Sequence, residues 1–338
     1  MNILIAGGGI AGTTLAHLCA EKGISFRIVD KGINYSSAVA AGIINPLVFR
    51  RMTLSWRAGE LIPFAETFYR SVETKLGQSL FHPVTIRRLF ASEQEAGYWT
   101  QKQHLPVYSD YMHELTEDDH RFPSSQNIFG TGRVKGSSWV DAARYYTAQL
   151  DWFEKNRSLE RASVDYSMID PETGTYDGVA YDHIVFCEGK DGKANPWFGH
   201  LPLQQTKGEI LTIHAPSISQ AESLNRKCFM LPVGNERFRV GSTYVWDTDN
   251  NTVTEEGKAA IVQNIASVTD EPFTIVDQVA GVRPTVTDRR PLIGRHPQFP
   301  KLVFANGLGT KGYMLAPGMM NELLAHLVEN APIHPEAD

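Results

Sequence analysis

The sequence predicts an α/β fold with a mostly antiparallel α+β domain inserted into it, on three observations. The first thirty residues run strand, glycine turn, helix, strand. A second strand, glycine loop and helix occupy residues 302–328. Between them, residues 204–283 read mostly as strands. Strand-rich sequence between two α/β passages describes a discontinuous Rossmann-like domain that carries a second, antiparallel domain.

The N-terminal passage is the most informative. An apolar strand, Ile3 to Ala6, runs into Gly7-x-Gly9-x-x-Gly12, and a second strand, Phe26 to Val29, ends at Asp30. This is the dinucleotide-binding fingerprint in its full context. Gly7 allows the tight turn, Gly9 lets the backbone approach a pyrophosphate, and Gly12 lets the helix pack on the strand. Ile10 and Ala11 open the helix, whose free N–H groups and positive dipole end face the phosphates. Asp30 is placed to accept hydrogen bonds from ribose hydroxyls, with Lys31 beside it.

From Lys31 to Ser37 the chain reads as a loop. The small residues of Ala38-Val-Ala-Ala-Gly-Ile-Ile-Asn-Pro46, among them Ala41, Gly42 and Ile43, suit backbone packed against a ligand. Leu61, Phe64, Ala65, Phe68, Tyr69, Val72 and Leu76 recur at helical spacing and give one apolar face. Ile86 to Phe90 reads as a strand. Residues 92–127 are polar and poorly patterned, and Glu117-Asp118-Asp119 reads as a solvated patch. A helix is expected over Trp139 to Leu150, then a strand, Tyr181 to Cys187, closed by Gly189. Strands follow at Glu209 to His214, Cys228 to Val233, Phe238 to Tyr244 and Thr274 to Val282, with one helix at Glu255 to Val268. Leu302 to Asn306 is a short buried strand. Gly307-x-Gly309-x-x-Gly312 and a helix with Ala316, Met319, Met320, Leu323 and Leu324 on one face come after it.

The bulk numbers narrow the function. The 338 residues are 42% hydrophobic and 21% charged, as in a globular protein with a sizeable core. A net charge of -6 does not favour a polyanionic partner, so nucleic acid is not expected. Cys19, Cys187 and Cys228 are odd in number and lack metal-ligand spacing; no metal site or disulfide framework is expected. No apolar run reaches the length of a membrane span, and a cytoplasmic protein is expected.

Four blocks carry a family resemblance. They are the N-terminal fingerprint with Asp30, the loop Ser37 to Pro46, the strand Tyr181 to Gly189, and a C-terminal block. The last reads Gly281-Val-Arg-Pro-Thr-Val-Thr-Asp-Arg-Arg-Pro-Leu-Ile-Gly294, then Asn306-Gly-Leu-Gly-Thr-Lys-Gly312. The chain resembles the D-amino-acid oxidase and glycine oxidase-like superfamily of flavoproteins. The oxidase half of the bacterial enzyme that trims carboxymethylaminomethyl-uridine in tRNA is also similar. The resemblance implies an FAD-binding domain of the glutathione-reductase type, formed by residues 1–50, 129–200 and 281–338. Residues 51–128 and 201–280 would form the substrate domain. It implies oxidation of the C–N bond of a small amino acid or secondary amine, by hydride transfer to flavin N5, with O2 or another electron acceptor. The alternatives are a dehydrogenase with a non-oxygen acceptor, a tRNA carboxymethylaminomethyl-uridine-type oxidase and a non-catalytic FAD-binding protein.

The resemblance also assigns residues. Arg283 would fork onto a substrate carboxylate, which suits guanidinium geometry. The loop Gly309, Thr310, Lys311, Gly312 and Tyr313, at the start of the last helix, would face the flavin, with Lys311 adding a positive charge. Glycine oxidase-like enzymes carry a carboxylate-binding tyrosine where this chain has Phe229, and an arginine near Thr310. Lys227, expected on the strand face of Phe229, could supply charge instead. Covalent relatives attach flavin through a cysteine near the C-terminal block; none lies between 229 and 338, so noncovalent FAD is expected.

Overall fold

The computed structural model describes residues 1–32, 35–120 and 127–337. The smaller of its two main sheets has six strands in the order Leu159–Glu160, Ser25–Val29, Asn2–Ala6, His183–Phe186, Leu302–Asn306 and Leu292–Arg295. All neighbours are parallel except the last pair. The central strands are buried on both faces, which is why Ile3, Leu4 and Ile5 read as a continuous apolar run. Helix Ile10–Glu21 follows the first strand, and Gly312–Glu329 follows Leu302–Asn306. The two helices pack together, and Ala58–Leu76 packs on the second of them. Here Tyr69 donates to the Tyr313 carbonyl at 2.7 Å.

The larger sheet has eight strands. Its order is Val245–Trp246, Leu203–His214, Arg237–Gly241, Phe229–Pro232, Glu222–Asn225, Thr85–Leu89 and Thr131–Val134, with Thr274–Val286 along the other edge of Leu203–His214. Only Glu222–Asn225 with Thr85–Leu89 is parallel. Thr131–Val134, inside the expected cofactor segment 129–200, therefore pairs within this sheet. Conversely, helix Ala58–Leu76, inside the expected substrate segment, joins the core beneath the smaller sheet. One face of the larger sheet, with Leu211, Met230, Phe238 and Val240, packs on Ile261 and Ile265 of helix Glu255–Ile265. The other face looks toward the smaller sheet.

Several local expectations are corrected. Trp139 and Val140 lie in a strand, Ser138–Val140, and the helix starts at Ala142. Asp141 sets that start by accepting from the Arg144 amide at 3.2 Å. The unpatterned stretch 92–127 contains helix Glu93–Lys102, capped by Ser92. The serine-x-x-glutamate signal Ser92 to Glu95 was readable. Residues 31–46 include a short helix, Tyr35–Val39.

The acidic patch is not uniformly solvated. Asp119 is 1% exposed and pairs with Arg87 at 2.9 Å and Arg133 at 3.1 Å. It also accepts from the Thr116 amide at 3.0 Å. Arg87 and Arg88 are likewise buried rather than surface charge; Arg87 also pairs with Glu222, and Arg88 with Glu95 at 2.6 Å. Sequence pattern cannot distinguish a paired buried charge from a solvated one.

Burial raises the Asp119 carboxyl, but hydrogen bonds from Thr116 and Arg87 outweigh it and hold the group below its ordinary value. Removing this carboxylate takes an acid from two arginines, of which Arg87 keeps Glu222 and Arg133 is left without one among the described residues. Asp119→Ala should cost about 3–5 kcal/mol in chemical denaturation. Because the folded value is depressed, the stabilisation is present above the unfolded pKa and is lost as pH falls. The stability gap between wild type and Asp119→Asn should therefore narrow below about pH 4.

Candidate cofactor and substrate site

An elongated cavity of about 620 Å³ lies between the two sheets. One end is walled by Val29, Asp30 and Lys31, the middle by Gly7, Gly9 and residues 36–43, and the far end by the larger sheet.

The glycine turn is built for close approach. Gly7 has φ +104, and a Cβ there would lie 2.5 Å from the Cys187 carbonyl oxygen. A Cβ on Gly12 would lie 1.9 Å from the Gly7 carbonyl oxygen. Gly12 thus shapes the turn without lining the cavity. The helix that follows has no acid in its first turn. Ser37 Oγ accepts from the Ile10 amide at 2.9 Å, which ties the 35–39 segment to the helix end. Ile10 and Ala11 line the cavity. Asp30 accepts from the Gly8 amide at 2.6 Å and the Gly32 amide at 2.7 Å. Lys31 pairs with Asp191 at 2.6 Å. This row of free space, backbone amides and one carboxylate fits the pyrophosphate and ribose of a dinucleotide.

Ala41, Gly42 and Ile43 line the next stretch of wall. Gly42 has φ +72, and a Cβ there would lie 1.9 Å from the Val140 carbonyl oxygen. Gly189, at φ +58, lines the opposite wall, where Asn306 Nδ2 donates to its carbonyl at 2.9 Å. Gly309, Thr310, Lys311, Gly312 and Tyr313 all line the cavity. Thr310 is exposed. Tyr313 is buried, and its hydroxyl donates to the Ser37 carbonyl at 2.9 Å, so it braces the loop. Lys311 Nζ donates to the Asn45 carbonyl at 3.0 Å and to Ser55 Oγ at 2.8 Å. Burial brings its pKa down to about 8.

The larger sheet presents Gly208, Ile210, Gly241, Phe229 and Asn225 to the cavity. Their cross-strand register, Ile210 with Gly241, Gly241 with Phe229 and Phe229 with Asn225, puts them on one face. Arg283 extends from strand Thr274–Val286 across this face. Its Nη2 donates to Ser242 Oγ at 2.7 Å, and its guanidinium lies 4.9 Å from the Tyr244 ring centroid. No carboxylate pairs with it among the described residues. Burial pulls its pKa below the usual arginine value, with Tyr244 opposing that shift. A Cβ on Gly208 would lie 2.0 Å from Arg283 Nη2, so the arginine occupies space that only glycine leaves. Phe229 is half-buried on the wall. Lys227 lies on the turn before strand Phe229–Pro232 rather than within it, exposed at the cavity edge.

Two site residues escaped the sequence reading. Gly208 had a signal, a glycine inside a strand, which marks close approach of another group. Arg239 is the second. It shares the cavity-side face with Gly241, and Nη1 donates to the Ala40 carbonyl at 2.7 Å, with Nη2 on the Val39 carbonyl. Alternation of Phe238 and Val240 with Arg239 and Gly241 in one strand was its signal. Tyr244 lines the cavity, whereas Trp56 packs against His334 and Arg290. His82 stacks on Trp139, and His296 packs on Phe198 and Phe299.

Among the described residues no group of side chains could hold a metal ion, and no helix is long and apolar enough to cross a membrane. The chain is 23% identical to glycine oxidase of Bacillus licheniformis, covering 99% of this chain and 95% of that protein. It is 22% identical to the tRNA 5-methylaminomethyl-2-thiouridine biosynthesis bifunctional protein MnmC of Thiobacillus denitrificans, covering all of this chain but 58% of that protein. The crystal structure of glycine oxidase from Geobacillus kaustophilus superposes with a TM-score of 0.83 at 20% identity, over 98% of this chain and 95% of that one. The family model described as FAD dependent oxidoreductase (DAO) matches residues 2–327, and the chain belongs to that family of FAD-dependent enzymes.

Proposed function

We propose that the chain oxidises the C–N bond of a small amine or amino acid that carries a carboxylate. The observation that supports this most is Arg283: half-buried, facing the cavity, held by Ser242 and Tyr244, and without a carboxylate partner among the described residues. A partly desolvated guanidinium in that state attracts an incoming carboxylate, which can take a bidentate pair of its N–H groups. When bound, FAD supplies the hydride acceptor. Arg283, seated in the space that Gly208 leaves, fixes one end of the substrate. Lys311 and the N-terminus of helix Gly312–Glu329 place positive potential on the cavity wall and favour a neighbouring negative charge. Phe229 offers no hydroxyl, so the carboxylate rests on fewer donors than in the tyrosine-bearing pattern. FAD attachment is read as noncovalent. Burial pushes the thiols of Cys19 and Cys228 up to about 12 and that of Cys187 higher still, which leaves no reactive thiolate.

The decisive test is Arg283→Lys. Lysine keeps the charge but not the planar pair of donors. The variant should bind FAD normally and lose roughly 2–4 kcal/mol in kcat/KM with a carboxylate-bearing amine. An amine without the carboxylate should be nearly indifferent to the change. Equal losses for both substrates would remove the amino-acid reading.

Asp30→Ala should weaken FAD binding by about 1.5–3 kcal/mol through loss of a charge-assisted hydrogen bond, measured by titrating apoprotein with FAD. For Lys311, the charge is present below a pKa of about 8 and lost above it. Flavin reduction at saturating substrate should slow as pH rises through that value. Lys311→Met should show no such falling limb in a stopped-flow pH profile.

A further inference from the structure

The cavity does not end at the substrate arginine. Beyond Phe229 its wall passes into a second hollow of about 700 Å³, and Phe49, Asn225 and Arg226 line both. Four arginines line this hollow, Arg50, Arg51, Arg88 and Arg226, against one carboxylate, Glu95. Glu95 is already engaged by Arg88 at 2.6 Å and by the Ala91 amide at 2.6 Å. Arg226 is held by the backbone carbonyls of Phe90 at 2.9 Å, Ser267 at 2.9 Å and Leu89 at 3.3 Å, so its charge is fixed in place but not cancelled. Burial, and then the neighbouring Arg88, hold its pKa below the usual arginine value. Arg50 and Arg51 are exposed and form no ion pair among the described residues. Lys227 adds another cation where the two spaces join. A concave wall with this excess of like charge repels itself and attracts an anion.

The register gives a length. From Ile210, two residues along the strand from the Gly208 that lies under Arg283, the register steps through Gly241 and Phe229 to Asn225, whose Oδ1 accepts from Arg88 Nη1 at 2.6 Å. Three strand spacings separate the two ends, about 14 Å.

We propose that this arginine-lined hollow binds a second anionic group of the substrate, a carboxylate or a phosphate, roughly 10–15 Å from the carboxylate held by Arg283. The proposal rests on the carboxylate-bearing amine reading. It makes the substrate dianionic, with the reacting C–N bond near one end and the distal charge at the mouth.

Thioethers that replace the amine nitrogen with sulfur test this by binding alone, followed by perturbation of the bound flavin's visible absorbance. The probes are (hexylthio)acetate, 6-(carboxymethylthio)hexanoate and 5-(carboxymethylthio)pentylphosphonate, titrated into wild-type holoenzyme and an R50A/R51A double variant that retains FAD. Wild type should bind at least one of the two dianions about tenfold or more tightly than (hexylthio)acetate. That advantage should fall to within about twofold in R50A/R51A, and in wild type at about 0.5 M KCl, where exposed charges are screened. The tighter of the two dianions identifies the distal group as carboxylate or phosphate. Equal binding of all three by wild type, or an advantage that survives the double substitution or the salt, overturns this site and leaves the amine reading standing. No perturbation by any of them overturns both.

Discussion

A guanidinium fastened to two backbone carbonyls holds the two halves of the cavity together. Arg239 leaves the larger sheet and donates to Val39 and Ala40, in the segment whose Ser37 also caps the first helix of the smaller sheet. Burial lowers its pKa, with distant acids only partly opposing. Carbonyl oxygens rather than a carboxylate satisfy it, so its position is set by the chain path and not by a mobile acid. The clamp fixes the distance between the glycine turn, where a pyrophosphate would lie, and the sheet face, where Arg283 waits. Ser36 repeats the link by donating to the Val282 carbonyl, one residue before that arginine. Cofactor loop and Arg283 are therefore positioned by the same few contacts.

Much of this was legible in the sequence because backbone geometry dictates residue type. Gly7, Gly12 and Gly42 each sit where a Cβ would strike a carbonyl oxygen, and no other residue could be written there. The buried strands of the smaller sheet announced themselves as apolar runs. Long-range electrostatics was not legible. Asp119 sits in an acidic run that looks solvated, yet meets Arg87 and Arg133 across the chain. Arg226 donates to three backbone carbonyls brought from elsewhere in the chain. Local sequence carries no record of which charges fold topology will bring together.

The charge of the molecule also has a shape that its sum conceals. A net charge of -6 argues against a polyanionic partner for the chain as a whole. The cations, however, are gathered along one route, from Arg226 and Lys227 at the mouth to Arg283 and Lys311 on the cavity wall. Of the acids on these walls, Glu95 is paired with Arg88 and Asp191 with Lys31, while Asp30 and Glu188 are engaged by neutral donors. An acidic protein can thus present a positive interior to a small anion, since the field within a cleft is set by its walls.

Strand Leu203–His214 alternates two kinds of requirement. Gly208 and Ile210 face the cavity, while Lys207 and Glu209, paired at 3.0 Å and nearly fully buried, face the helix behind, where Glu209 also accepts from the Thr254 amide at 3.0 Å. A slip of one residue during folding would drive both charges into the cofactor space and leave Gly208 opposite the helix. It would also put a side chain where the Arg283 guanidinium must lie. Each wrong pairing would bury charge without a partner, so misregistered chains are disfavoured before any ligand arrives. The strand proofreads its own alignment: the buried Lys207–Glu209 pair on one face holds in register the Gly208 that shapes the site on the other.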